Sequence, residues 1–448
     1  MKKTLFSIFF LLPFFLFSQY DIYTKFKKTE IIEDLNFIKT KILNSHYNPY
    51  SYLSEDAFNK QFTDIETHLN EKTTIDEFQK LVYPIFVNLN DDHVYVSKFF
   101  TSRTVIPLDF KYYDNKFIVT DNFSSQNLEK GDVLISVNNI NIENLIEKCS
   151  DYSLGDRTFK KQWTYNQFLY IIQNKCLVTD EYNLKFASGK NLVFDKKSTK
   201  KDLPQYRINY QLDEIEKGAN QNIKYTKIDD KNGYIQANSF SIKGRTYIEW
   251  QKNIDRIFDQ IKEDKIENLY IDVSKNSGGS AGVGNLLIYR FSDKKYKGFT
   301  FDTRKSDDYK EQYKNFDRID STNKKIIFPE NIQNRFKGKT YIIIGQKTFS
   351  AAVLFATTVL DNQLATVIGE TLEKGHPNHL GGVLSFETPH TKLKFSFSSM
   401  SSKRPDETKP NQLIPDIEID LTNKKIEDII SFVEHYSSQK RENNPRNN

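Results

Sequence analysis

Three segments of the chain combine residue types that can do covalent chemistry. In Thr348–Phe349–Ser350–Ala351–Ala352 a serine stands between an apolar run, Tyr341–Gly345, and a small-residue stretch with helical character, Ala351–Leu360. A hydroxyl at the mouth of a helix gains from the positive end of the dipole when it becomes an alkoxide or an ester. The two alanines leave room for a substrate carbonyl. The same position also suits an ordinary N-cap serine. In Asp272–Val273–Ser274–Lys275–Asn276–Ser277–Gly278–Gly279–Ser280 two adjacent glycines follow an apolar run, so the backbone can approach a ligand closely and present its N–H groups to an anion. Gly279, Gly282 and Gly284 mimic a dinucleotide fingerprint, but no Gly-Lys-Ser/Thr follows. The third segment, Asn90–Asp91–Asp92–His93–Val94–Tyr95, places one of seven histidines where a helical region ends; by itself it reads as a core or surface histidine.

The elements that must carry these groups follow from periodicity. Ile31, Ile32, Leu35, Ile38 and Ile42, and then Phe78, Leu81, Val82 and Ile85, form helical stripes, and Thr74 with Glu77 has the form of a capping box. A helical region over 22–90 follows. From 101 the period shortens, and the runs 104–108, 116–119 and 133–137 predict strands separated by turns. Residues 187–232 are polar and read as a linker or a long hairpin. Beyond them strands over 234–240, 269–273, 341–345 and 365–368 alternate with helices. Ile254, Ile257, Phe258 and Ile261 mark one helix, Leu286–Phe291 begin another, and a third covers 351–360. This alternation predicts a mostly parallel, covered sheet, in which ligands bind beyond the carboxyl ends of strands. All three chemical segments fall at such ends or at a helix end.

Composition narrows the classes further. The chain has 448 residues, 38% hydrophobic and 27% charged, enough for two or three domains with real cores. The formal net charge of +5 from 64 basic and 59 acidic residues is too even for a nucleic-acid footprint. Two cysteines, Cys149 and Cys176, exclude a disulfide scaffold and a Cys-rich metal site; they either pair or stay free. Lys2 and Lys3 precede an apolar run from Leu5 to Phe17 that contains Pro13 and ends at Ser18. That is the pattern of a secretory signal peptide cut after Ser18, and it falls short of the roughly 20 residues of a membrane span. The expectation is an exported chain, periplasmic or extracellular, with no span in its mature part.

Taken in order, the segments resemble one family. Thr348, Ser350, Ala351 and Ala352, then Gly369–Glu370–Thr371, are similar to the "T-x-S-A-A-E … G-E-x-T" signature of C-terminal-processing (tail-specific) serine peptidases. Asp272, Asn276, Gly278 and Gly279 match its "D-x-R-x-N-x-G-G", and Asp92–His93 matches the "D-G-H-T" of its tricorn-like branch. His46–Tyr47–Asn48–Pro49–Tyr50 and Pro415–Asp416–Ile417 sit where that branch has similar segments, so the resemblance runs from about 30 to 420. The stretch Leu128–Asn138, with Gly131–Asp132 leading into an apolar strand, resembles the core of PDZ domains.

The resemblance implies an α/β fold: a crotonase-like peptidase domain over 201–436, a PDZ-like β-rich module over 98–200, a helical N-terminal domain over 19–97, and a disordered tail over 437–448. It implies Ser350 as nucleophile, His93 as general base, the amides of Gly279 and Ala351 as oxyanion hole, and Gly278 and Asn276 in support. The acid that orients the histidine falls near Asp406 and Glu407, of which Glu407 is the choice. No metal and no cofactor are implied; the partners are protein or peptide substrates, gripped through a chain terminus. Another branch uses a Ser/Lys dyad, and Lys374, 24 residues after Ser350, keeps that alternative in view. His376 and His379, three apart in a Pro-containing loop, lack a third metal ligand. The sequence departs from the family at Val353, Ser274, Asp92 and Val94, and over Leu372–Gly375. These changes motivate a second reading, a non-catalytic peptide-binding relative that grips extended chains by strand addition.

Overall fold

The computed structural model describes residues 24–97, 104–199, 201–202, 223–242, 246–314, 326–330, 332 and 334–442. The apolar run read as a signal peptide, residues 203–222 of the polar stretch expected to link the two halves, and residues 443–448 lie outside them.

The sheet expected in the second half is there. Six strands lie in the order Ile223–Lys227, Asn232–Ala237, Asn268–Asp272, Lys339–Ile344, Thr366–Gly369 and Ile417–Glu418. The first pair is an antiparallel hairpin and every other pair is parallel. The inner strands are continuous apolar runs because both faces are covered. On one face the helices Tyr247–Glu263, Ala281–Phe291 and Ala351–Asp361 bury Trp250, Ile254, Phe258, Leu287 and Val359. On the other, Ile426–Glu442 packs Ile429, Ile430 and Val433 over Tyr270, Ile343 and Ile368. Each such side chain contributes about 1.5–3 kcal/mol on burial. Because Asp272 pairs in parallel with Ile343, the loops after these two strands leave the sheet at the same edge, side by side. That register brings the glycine segment to the serine segment.

Two differences from the sequence pattern concern helix limits. The helix expected to begin at Leu286 begins at Ala281, and Leu286–Phe291 is its second half. Gly282 and Gly284 disguise its start. Gly284 is needed there, since a Cβ on it would lie 3.0 Å from Phe355 Cβ of the neighbouring helix. The last helix continues to Glu442, past the point where a disordered tail was expected. Ile429, Ile430 and Val433 hold its first half on the sheet, and the remainder extends from that anchored part.

In the first half, helices Lys28–Ser45, Glu55–His68 and Ile75–Val87 pack around Ile38, Phe58, Phe62, Phe78 and Phe86. The Thr74–Glu77 capping box forms as expected. This bundle shares its core with Phe395 and Phe397 of strand Lys394–Lys403, which pairs with Leu380–Glu387 and Thr300–Thr303. The short strand Tyr95–Val96 joins the same sheet, Phe395 opposite Val96. Asp34, fully buried, accepts hydrogen bonds from the amides of His390 and Thr391 at 2.9 and 2.8 Å. Arg304 donates to the carbonyls of Leu43 and His46, closing the end of the first helix.

Between these halves, hairpins Leu108–Tyr113/Lys116–Asn122 and Tyr182–Phe186/Asn191–Phe194 flank Leu134–Val137. The strand expected over 104–108 starts only at Leu108. Residues Ile142–Cys176, which the sequence reading left inside a β-rich module, are largely helical. Asn141 caps the first of these helices, and Ile142, Leu145, Ile146 and Cys149 are buried at i, i+3, i+4 and i+7. Cys149 pairs with Cys176 in a disulfide across a separation of 27 residues, Cα–Cα 5.4 Å. Both ends are set in the shared core. Closing a loop of this size stabilises a chain by about 3 kcal/mol. The Cys149→Ser/Cys176→Ser double variant is therefore expected to unfold at clearly lower urea than the oxidised protein. An unchanged midpoint would contradict a stabilising cross-link.

Candidate active site

The serine segment forms a sharp turn. After strand Lys339–Ile344, Thr348 accepts the Gly345 amide on Oγ1 at 3.0 Å and donates from that oxygen to the Val273 carbonyl at 2.8 Å. Phe349 donates its amide to the Asn276 carbonyl at 2.9 Å. These bonds force Ser350 to φ 51° and ψ −124°, a conformation that costs a non-glycine residue about 1–3 kcal/mol. Ser350 occupies the N-cap position of helix Ala351–Asp361, yet its side chain caps nothing. Its Oγ lies 2.9 Å from Nε2 of His93. The simple capping role is therefore not the one this hydroxyl takes.

The glycine segment lies directly against that turn. Gly278 has φ 104°, and a Cβ on it would stand 2.7 Å from Ser350 Cβ and 3.0 Å from the Ala351 nitrogen. A Cβ on Gly279, at φ 134°, would overlap the Phe240 carbonyl. Asn276, fully buried, fixes the loop: its Nδ2 donates to the Ala237 carbonyl and its Oδ1 accepts the Gly278 amide, both at 2.8 Å. Phe240 bonds Gly278 and Ser280 on either side of Gly279. Among the described residues, no hydrogen bond uses the amides of Gly279 or Ala351. Two N–H groups thus remain available beside the serine, where charge develops on a carbonyl oxygen under attack.

His93 reaches the serine from the other half of the chain. Asp91 Oδ1 accepts the His93 amide at 2.9 Å, and the same carboxylate takes the Ser398 amide at 2.6 Å and its hydroxyl at 2.8 Å. His46 Nε2 lies 3.4 Å from Asp91 Oδ2. Burial alone would raise the Asp91 carboxyl, but the His46 ring beside it, with the charge and amide of His93, holds it down to about 2. The His93 ring packs against Phe349, centroids 4.8 Å apart, and against His379, 5.6 Å. Burial lowers its pKa, and the charges of Asp91 and Asp92 only partly oppose this. The ring is neutral at pH 7, the form that accepts a proton. Burial also pushes His379 down to about 3, so it is a neutral neighbour. Its Nδ1 bonds the His376 carbonyl at 2.8 Å, and the two rings do not converge on a shared point.

One expectation needs correction, and the Lys374 alternative has surroundings of its own. Glu407 is exposed in the turn that follows Arg404, whose guanidinium is fixed on Asp361 at 2.6 and 3.1 Å. No interaction joins Glu407 to His93 among the described residues, and His93 Nδ1 has no hydrogen-bond partner that meets distance and angle. The Leu380 backbone is nonetheless near enough to favour the protonated ring. Lys374 donates to Asn166 Oδ1 at 2.5 Å and lies over the Trp163 ring at 5.2 Å. Burial pushes it down to about 8, but its ammonium serves that contact while the serine hydroxyl is taken by His93. The sequence reading also missed Asp91 and His46 as a support for the histidine segment. Asp91 adjoins His93 in the same short segment, and a carboxylate two residues before a histidine was the available signal.

Comparison with known proteins is consistent with this geometry. The profile of peptidase family S41 matches residues 231–419. The crystal structure of mature CPAF is 14% identical, covering 87% of this chain and 92% of that one, with a TM-score of 0.59. The structure of a CPAF mutant is 13% identical, covering 91% and 96%, with a TM-score of 0.61. At such identities the likeness shows the fold alone. No curated protein matches the sequence.

Gly278→Ala is expected to slow fluorophosphonate labelling of Ser350 by about 10²-fold, because its Cβ would displace Ser350 and the Ala351 amide from their places, with an unchanged circular dichroism spectrum. Labelling at the wild-type rate would contradict the contact between Gly278 and Ser350. Because His93 must be neutral to act, the wild-type labelling rate is expected to rise with pH through a midpoint below 6.5 and to be level by neutrality. A midpoint above 7 would contradict it.

Proposed function

Since the chain is a serine-type peptidase of the C-terminal-processing family S41, we propose that it is exported and hydrolyses peptide bonds through an acyl-enzyme on Ser350, with His93 as general base. The observation that carries this reading is the 2.9 Å contact between Ser350 Oγ and His93 Nε2. With the ring protonated on Nδ1, Nε2 takes the hydroxyl proton as Oγ attacks the scissile carbonyl. The oxyanion forms against the amides of Gly279 and Ala351, at the N-terminus of helix Ala351–Asp361. His93 then gives its proton to the leaving amine, the acyl-enzyme remains, and the same ring activates the water that releases the acid. The carboxylates of Asp91 and Asp92 favour the imidazolium by their charge, the part that a single hydrogen-bonded acid plays elsewhere.

Export rests on the leader-like first eighteen residues and on the Cys149–Cys176 disulfide, which belongs to an oxidising compartment. In this reading the first helices form one domain, the hairpins and inserted helices around Leu128–Asn138 form a PDZ-like module that selects a chain terminus, and the parallel sheet is crotonase-like. Substrates are extended protein or peptide chains.

The test compares two bases on one nucleophile. His93→Ala is expected to cut turnover of an unfolded protein substrate, and labelling of Ser350, by about 10³-fold or more. Lys374→Ala is expected to change both by less than about tenfold. The reverse ranking would hand the reaction to a Ser/Lys dyad. Peptide binding without turnover by the wild type would make the protein a binding relative.

A further inference from the structure

Behind the His93 segment lies a polar cluster away from the reacting atoms, of which Asp92 alone acts on His93, through its charge. Asp92 Oδ1 accepts the Asp156 amide at 2.8 Å, and Asp156 Oδ1 accepts the Thr158 amide at 2.7 Å. Each carboxylate therefore has one oxygen fixed by backbone. The second oxygens both turn to Nε2 of His376, Asp92 Oδ2 at 3.1 Å and Asp156 Oδ2 at 3.5 Å. The side chains of Asp92 and His376 are each 2% exposed. Among the described residues Asp92 Oδ2 nonetheless has no hydrogen-bond partner, because its approach to Nε2 misses the direction of a ring N–H. A buried acceptor is thus aimed at a point shared with a second carboxylate and a ring nitrogen, with no donor satisfying it.

Three potential ligand atoms converging on one point also fit a metal ion. Zinc takes nitrogen and oxygen ligands at about 2.0–2.2 Å, so tetrahedral donors stand about 3.3–3.5 Å apart. All three ligand atoms lie within 4.8 Å of one another. We propose that Asp92, Asp156 and His376 form a site for a divalent transition cation of the zinc class, with a fourth position open to water. Binding replaces any proton on His376 Nε2, and both carboxylates bind as anions. The backbone bonds to Oδ1 of Asp92 and of Asp156 supply the outer support that metal-binding carboxylates use. The ring lacks that support on Nδ1, which has no partner, and it is oriented by stacking on Phe159 at 4.3 Å. Affinity is accordingly expected to be about 10–100-fold below that of a fully supported site.

The three ligands come from the end of the N-terminal helices, the helical insert and the α/β part, so the cation cross-links three segments beside the His93 turn. Metal-stripped, tag-free protein titrated with zinc in a calorimeter is expected to bind one equivalent per chain. Its melting temperature is expected to rise and to return to the stripped value with chelator. Asp156, the less buried ligand, gives the safer variant: Asp156→Asn, with native circular dichroism, is expected to weaken binding by at least about tenfold, and His376→Gln to abolish it. Ser350→Ala is expected to bind zinc as the wild type does, so the result stands apart from the fate of the serine assignment. No stoichiometric binding by the wild type, or equal binding by Asp156→Asn and His376→Gln, would overturn the proposal.

Discussion

A single hydrogen bond, His93 Nε2 to Ser350 Oγ, spans 257 residues of sequence and sets the demand that the rest of the structure meets. Neither residue can meet it from its own half of the chain. The serine is fixed by a parallel sheet and a helix mouth. The histidine follows a helical bundle with its own apolar stripes. The contact exists because the bundle and the sheet Leu380–Glu387/Lys394–Lys403 share one core through Phe395 and Phe397. Polar contacts then remove the remaining freedom: Asp34 on the Thr391 turn, Arg304 on the end of the first helix, and Asp91 on Ser398. Asp91 matters most for register, since one carboxylate holds both the His93 amide and the strand beside it.

The second constraint is local strain. Ser350 adopts a backbone conformation that its side chain disfavours, and its support comes from Thr348, Asn276 and the two glycines packed on it. Rigid supports of this kind keep two amides free and a hydroxyl raised, which a relaxed helix cap would not do. The gain is preorganisation: donors already aimed where charge will form need no rearrangement during the reaction.

Much of this was legible from residue types and order. The serine after an apolar run, the glycine pair after another and the histidine after a helix all occupy the places that the sequence pattern assigned, because strand-helix alternation dictates where strand ends lie. Carboxylate roles were not legible. Distance along the chain points to Glu407, yet Arg404 on Asp361 anchors that turn and leaves Glu407 in solvent. Asp91 stands two residues before His93, but its bonds to Ser398 come from packing across the chain, and acidic residues are common enough that it does not stand out. The helical insert Ile142–Cys176 was hidden because its helices are short and lie among strand-like runs. Glycines at 282 and 284 hid a helix start, since a close approach to Phe355 overrode helix propensity.

The central claim concerns where two side chains meet a reacting carbonyl. The most direct measurement is a crystal structure of the protein after reaction with a fluorophosphonate. The expected result is phosphorus bonded to Ser350 Oγ, its oxygen on the amides of Gly279 and Ala351, and His93 Nε2 within hydrogen-bond distance of the adduct. An adduct on another residue, or a His93 ring turned away from it, would contradict the assignment.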